Sequence, residues 1–165
     1  MKTIPDSVVQ EVWTQLCEST PTQVRALAQR MQQQQPGITV YLLAAEEEWL
    51  DEPDRGMLLT LGTFIWLVMS RGDVPLRTVQ EAELDQAEEA NIRALEAMDQ
   101  ESEHDQAEAI QRLVATYNQM PLLGAVLDVL MAGHEDAPQL APDSVGMALL
   151  HLKTVIDCLD QQGQA

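Results

Sequence analysis

The chain offers one pair of side chains at a spacing that suits a metal ion, Glu101 and His104. A glutamate and a histidine three residues apart on a helix project to one side, and carboxylate-bridged di-iron bundles use this pair from each of two helices. Such a site also needs a second pair and further inward-facing glutamates, which the sequence does not supply. Glu101 and His104 therefore remain candidates for a metal site, and no cofactor is predicted.

A second set of reactive residues comprises His151 and Cys158, which are seven residues apart and so share one face of a helix. Together with Cys17 they could form a thiol–imidazole pair or part of a metal site. Their neighbours on that face, Met147 and Thr154, lie at the edge of an apolar stripe. A partly buried histidine beside a buried cysteine explains the pattern without chemistry, and we favour that interpretation.

A third candidate is the segment 133–136, which places His134 beside two acids after an apolar helix. It could bind a cation or transfer a proton, although a polar helix end with solvated acids is the commoner outcome. Ser144 lacks the glycine-flanked elbow of a hydrolase nucleophile. Phosphate-binding glycine loops, Cys-x-x-Cys pairs and His-Glu-x-x-His motifs are also absent from the sequence. This favours a non-enzymatic role.

The densest charge lies between residues 81 and 108, where eleven acidic residues are opposed only by Arg93. Such a block is usually a solvated face, but its charge density exceeds what solubility requires, so a binding surface is the alternative. Like charges four residues apart weaken an isolated helix by only about 0.2–0.5 kcal/mol per pair, which does not decide between the two. The candidate interaction surface consists of Glu81, Asp85, Glu88 and Glu89.

The formal net charge of −18 restricts the partners of the chain. A surface of this charge repels nucleic-acid phosphates and anionic lipids, so we expect no direct nucleic-acid binding and no membrane binding. The same field favours a basic protein partner, a divalent cation, or a basic site that normally receives nucleic acid.

Cysteine content and hydropathy indicate the compartment. Two cysteines do not make a disulfide framework in a domain of this size, and we expect reduced, buried thiols. The first residues lack the apolar core of a signal peptide. The apolar run 57–70 is shorter than the roughly 20 residues that cross a bilayer as a helix. A cytoplasmic location is the resulting expectation.

Prolines mark the beginnings of most apolar-periodic segments, because the first turn of a helix tolerates their missing N–H. Thr20 and Gln23 flank Pro21 at the spacing of a capping box. No segment alternates with period two for long enough to be a strand. Helices are predicted over 5–18, 21–34, 37–50, 54–70, 75–99, 103–119, 121–132 and 142–161.

These patterns predict an all-α fold, with about eight helices in a single compact domain over 1–165, bundle-like or orthogonal in its packing. The helix over 54–70 is apolar nearly all round. A helix of this kind is either central in the fold or shared with a second subunit.

The predicted function is that of a non-enzymatic helical protein-interaction module, which holds a protein partner or a second copy of itself as a homodimer. One alternative is a carboxylate-rich metal-binding protein that uses Glu101 and His104. Another is an inhibitor whose acidic block imitates the charge of a nucleic acid. A helical fold by itself does not choose among these functions.

Overall fold

The structure, a computed structural model, describes residues 1–44, 52–100, 103–132 and 142–162. That part of the chain contains eight α-helices and no strand, which confirms the predicted fold class. The helices are α1 (Asp6–Glu18), α2 (Pro21–Gln34), α3 (Pro36–Leu43), α4 (Glu52–Met69), α5 (Glu81–Asp99), α6 (Glu103–Thr116), α7 (Met120–Ala132) and α8 (Pro142–Gln161).

The capping box before α2 forms as predicted. The backbone N–H of Gln23 donates to Thr20 Oγ1 at 3.3 Å, and the backbone N–H of Thr20 donates to Gln23 Oε1 at 2.8 Å. Two N–H groups that would otherwise lack partners at the helix start are satisfied by local side chains. The helix accordingly has the predicted bounds, Pro21–Gln34.

Helix α4 lies at the centre of the core, as its all-round apolar sequence predicts. It packs against α1, α2, α3, α7 and α8. Phe64 and Ile65 are fully buried, and the ring of Phe64 meets that of Trp13 edge-on, with 5.0 Å between centroids. A β-carbon at Gly62 would overlap the end of the Leu42 side chain, so a larger residue there would require Leu42 to move.

The predicted start of α5 at residue 75 is wrong, since residues 75–80 are not helical and the helix begins at Glu81. Two distant glutamines hold this segment in place. Gln35 accepts from the Val79 N–H at 2.9 Å and donates to the Arg77 carbonyl at 2.8 Å. Gln162 accepts from the Arg77 N–H at 2.8 Å. These bonds occupy backbone groups that a helix would need.

Helix α6 also ends earlier than residue 119, the predicted end, because the following residues bind the N-terminal segment. The side chain of Gln119 accepts from the Ile4 N–H and donates to the Lys2 carbonyl, both at 3.1 Å. Helix α3 ends at Leu43, and the predicted continuation of this helix over 45–50 lies outside the described residues.

The helices differ in how completely their neighbours cover them. Helix α8 packs against α4, α5 and α7, whereas α6 makes its principal contact with α5 alone. Helix α6 and the second half of α5 therefore form an outer pair, whose apolar side chains are only partly covered. None of the described helices is long and apolar enough to cross a membrane.

Candidate binding cleft

The outer helix pair and the core enclose a cleft of about 890 Å³. This volume is near the upper end of the range for ligand pockets, roughly 300–1,000 Å³. Helices α5 and α8, which pack against each other, supply most of the lining, and α6 and α7 contribute the remainder. The lining residues are Asn91, Ala94, Leu95, Met98, Ala109, Leu113, Leu123, Gly146, Met147, Leu149, Leu150 and Lys153.

Large apolar side chains remain open to solvent at the mouth of the cleft. Leu95 on α5 is 54% exposed, and Leu113 on α6 is 39% exposed. Ile92 on α5 and Ile110 and Val114 on α6 are also exposed. Apolar residues clustered in this way on two adjacent helices, rather than scattered singly, are typical of a binding surface.

A polar cluster closes the inner end of the cleft, where α5 meets α8. The Lys153 ammonium donates to Asn91 Oδ1 and to Asp157 Oδ2, both at 2.7 Å. The Asn91 amide in turn donates to Asp157 Oδ2 at 2.9 Å and to Thr154 Oγ1 at 3.2 Å. Because the buried amide uses both its oxygen and its nitrogen, the cluster avoids the cost of an unpaired polar group.

Tyr117 connects this cluster to the turn after α6. Its hydroxyl donates to Asp157 Oδ1 at 2.6 Å, and the Lys153 ammonium lies 4.8 Å from the centroid of its ring. Burial, followed by the negative charge of Asp157, raises the pKa of Tyr117 above its ordinary range. The phenol therefore stays protonated and serves as a hydrogen-bond donor, which fixes the end of α6 against α8.

Exposed acidic residues lie on α5 and α6 beside the cleft, although none of them lines it. Helix α5 contains seven acidic residues and a single arginine, Arg93, which pairs with Glu89. Glu96 and Asp99 are exposed next to the lining residues Leu95 and Met98. Asp105 and Glu108 are exposed on α6. An apolar lining with exposed acids beside it favours an occupant that is apolar on one side and basic on the other.

The predicted interaction residues lie on α5 before the cleft and do not line it. Glu81, Asp85 and Glu89 are exposed. Glu88 differs, since its side chain is only 27% exposed and its Oε1 accepts from the Tyr41 hydroxyl at 2.8 Å. His151 Nδ1 lies 3.3 Å from the same oxygen. Glu88 thus contributes to the contact of α5 with α3 and α8.

The structure gives His151 and Cys158 different neighbours. The His151 ring meets the Tyr41 ring edge-on at 5.0 Å between centroids, whereas Cys158 Sγ lies 3.4 Å from the carbonyl oxygen of Glu83. Burial raises the pKa of Cys158 to about 12, which disfavours the reactive thiolate. This arrangement agrees with the structural interpretation of both residues.

The expectation that both cysteines are buried is wrong for Cys17, which is exposed on α1. Its pKa is raised by partial desolvation and by the nearby charge of Glu18. A raised pKa lowers the thiolate fraction at neutral pH, so exposure does not make this thiol a strong nucleophile.

The metal candidates cannot be assembled from the described residues. Glu101 lies outside them, and His104 is described only as part of the α6 backbone. The segment 133–136 also lies outside. Over 1–44, 52–100, 103–132 and 142–162, no group of three histidine, cysteine or acidic side chains is arranged to hold a metal ion.

Sequence reasoning missed the residues of the polar cluster, which are Asn91, Tyr117, Lys153 and Asp157. A signal for two of them was present. Lys153 and Asp157 are four residues apart on a helix that is otherwise mostly apolar, and this spacing suits an ion pair. Asn91 gave no comparable signal, because its partners are on another helix, 62 to 66 residues away in sequence.

Comparisons of the chain with known protein families, with curated proteins and with solved structures returned no match.

Proposed function

We propose that this chain is a non-enzymatic helical interaction module that holds a protein partner at the cleft. The observation that supports this most is the apolar surface of α5 and α6, where Leu95 and Leu113 remain open to solvent. Covering such side chains is favourable by roughly 25 cal/mol per Å² of apolar surface removed from water. Among the described residues, the core leaves these side chains exposed, and we propose that a partner covers them.

The chemistry of the cleft supports binding rather than catalysis. Lys153, Asn91 and Asp157 satisfy one another by hydrogen bonds, and Tyr117 is held as a protonated donor. A catalytic base or nucleophile needs a group poised to exchange a proton with substrate, usually with its pKa moved toward neutrality. The shift of Tyr117 is in the opposite direction. The cluster fits the role of a rigid support for the walls.

A capture experiment tests this function. Tagged protein in an extract of the native cells should retain a specific protein, and the double variant Leu95→Asp with Leu113→Asp should lose it. Val40→Asp is the matched control, because Val40 is 66% exposed on α3 and does not line the cleft. Capture that survives the double variant would contradict the proposal. Capture lost instead on neutralising Glu81, Asp85 and Glu89 would favour the nucleic-acid mimic.

A further inference from the structure

We infer that the segment bound by the cleft is an amphipathic α-helix with a basic polar face. This inference rests on the proposed function, since a chain without a protein partner has no partner segment to define. It adds the shape and the charge of that segment.

The shape follows from the lining. On α5 the lining residues run from Asn91 to Met98, and on α8 they run from Gly146 to Lys153. Each stretch is about 10 Å long at 1.5 Å per residue, or roughly two helical turns. An open apolar trough of this length, bordered by helices, matches the mode in which a helix places residues i, i+3, i+4 and i+7 into a groove.

The lining of the cleft fits apolar side chains rather than a charged head group. Leu95, Leu113, Leu123 and Leu149 are among its lining residues. The one cation in the lining, Lys153, already donates to Asp157 and Asn91. An anionic ligand would have to compete with Asp157 for that ammonium, whereas leucine-like side chains need no polar partner.

Charge determines which amphipathic helix fits. Glu96 and Asp99 flank Leu95 and Met98 on α5 and are exposed, so cations on the partner would meet them at the rim. A second copy that docked through the same helix would bring another α5, with seven acidic residues, against the first one. An anionic membrane would be repelled in the same way. A basic partner is therefore favoured over self-association and over a lipid surface.

Calorimetric titration with a designed peptide tests this inference. The probe has about 18 residues, with leucine on one helical face and lysine on the other. A scrambled peptide of the same composition and a leucine–glutamate peptide are the comparisons. We expect the amphipathic basic peptide to bind at least about tenfold more tightly than either of them, which corresponds to about 1.4 kcal/mol.

Variants of the protein locate the binding. Leu95→Asp with Leu113→Asp should weaken binding of the basic peptide at least about tenfold, and Val40→Asp should leave it unchanged. Glu96→Gln with Asp99→Asn, which leaves the apolar lining intact, should weaken binding and flatten its dependence on salt between about 0.05 and 0.5 M. All three variants change exposed positions, so each should remain folded.

Equal affinity for the basic and scrambled peptides, or affinity unaffected by the two leucine substitutions, would overturn the inference. If the native partner is nevertheless lost with those substitutions in the capture experiment, the proposed function stands and only the description of the partner segment fails. If capture is also unaffected, both fail. If a leucine–glutamate peptide binds as well as the basic one, the inferred basic face of the partner helix is wrong, while its amphipathic shape still stands.

Discussion

Lys153 donates a hydrogen bond of 2.7 Å to Asp157, one turn further along α8, at the inner end of the cleft. Asp157 also accepts from Asn91 and Tyr117, so one carboxylate connects α5, α8 and the turn after α6. Removing the carboxylate breaks hydrogen bonds from Lys153, Asn91 and Tyr117, whereas removing the lysine breaks one bond to Asp157 and one to Asn91. Substitution of Asp157 should therefore destabilise the fold more than substitution of Lys153.

Asp157→Asn should lower the free energy of unfolding by about 2 kcal/mol, because hydrogen bonds to a charged group contribute roughly 1.5–3 kcal/mol each. The lower part of that range applies, since the side chains of Asp157 and Lys153 are 17% and 21% exposed. Lys153→Met should lower the free energy of unfolding by clearly less than Asp157→Asn does. Urea denaturation measures both values. Equal costs for the two variants would mean that Asp157 is not the centre of the cluster.

Burial of α4 predicts a large loss for Phe64→Ala. The side chain is fully buried, so the lost burial and the cavity left behind should together cost about 3–5 kcal/mol. Leu43→Ala, at a position 47% exposed, is the control and should cost less than about 1 kcal/mol. A loss below about 1 kcal/mol at Phe64 would contradict the position of the helix. A melting temperature that rises with protein concentration would instead indicate a shared interface.

The ion pair of Arg77 with Glu83 predicts a dependence of stability on acid. Hydrogen bonds from the Arg77 guanidinium, then from the Gln80 N–H, lower the pKa of Glu83 from 4.5 to about 2. A lowered folded-state pKa contributes stability above pH 4.5, and this contribution is lost as the pH falls toward about 2. The stability difference between the native protein and Glu83→Gln should thus be constant near neutrality and should shrink below pH 4.5.

Denaturation curves at several pH values measure that difference. Glu81→Gln is the matched control, because Glu81 is exposed two residues earlier in the same helix. A difference for Glu83→Gln that stays constant down to pH 2 would contradict the proposed effect of Arg77 and the Gln80 N–H on this carboxylate.

The segment 75–80 should depend on Gln35, whose side chain satisfies the Val79 N–H. Gln35→Leu removes that acceptor and leaves a buried donor unpaired, which should cost about 1–3 kcal/mol. Hydrogen exchange at the Val79 amide should accelerate by more than the loss of global stability in this variant accounts for. Gln34→Leu, at an exposed position, is the control. Unchanged exchange at Val79 in Gln35→Leu would show that the hydrogen bond is not formed.

The contrast between α2 and the segment 75–80 shows what could be predicted from the sequence and what could not. Local signals gave α2 its bounds, because Thr20 and Gln23 lie three residues apart and act on the same helix end. Pro75 led to a wrong predicted start for α5, because proline is as compatible with an extended backbone as with a first helical turn. The deciding bonds come from Gln35 and Gln162, 42 and 85 residues from Arg77.

The cleft was less predictable than the helices. Leu95 and Leu113 each belong to a run of apolar residues at helical spacing in the sequence, Ile92 to Met98 and Ile110 to Tyr117, and both line the cleft. Periodicity gives the face of each helix but not the distance between two faces. Whether such stripes close on each other or leave an open cleft depends on the packing of α6, which lacks a strong contact with the core.

Site-specific photocrosslinking in the native cells tests the central claim most directly. A photoreactive amino acid in place of Leu113 should form a covalent adduct with a protein partner, because Leu113 lines the cleft and is exposed. The same amino acid in place of Val40, which is more exposed but lies on α3, should not form it. We predict one discrete adduct that is specific to the cleft. Adducts of equal yield at both positions, or none at Leu113, would contradict the account of the cleft as a partner-binding surface.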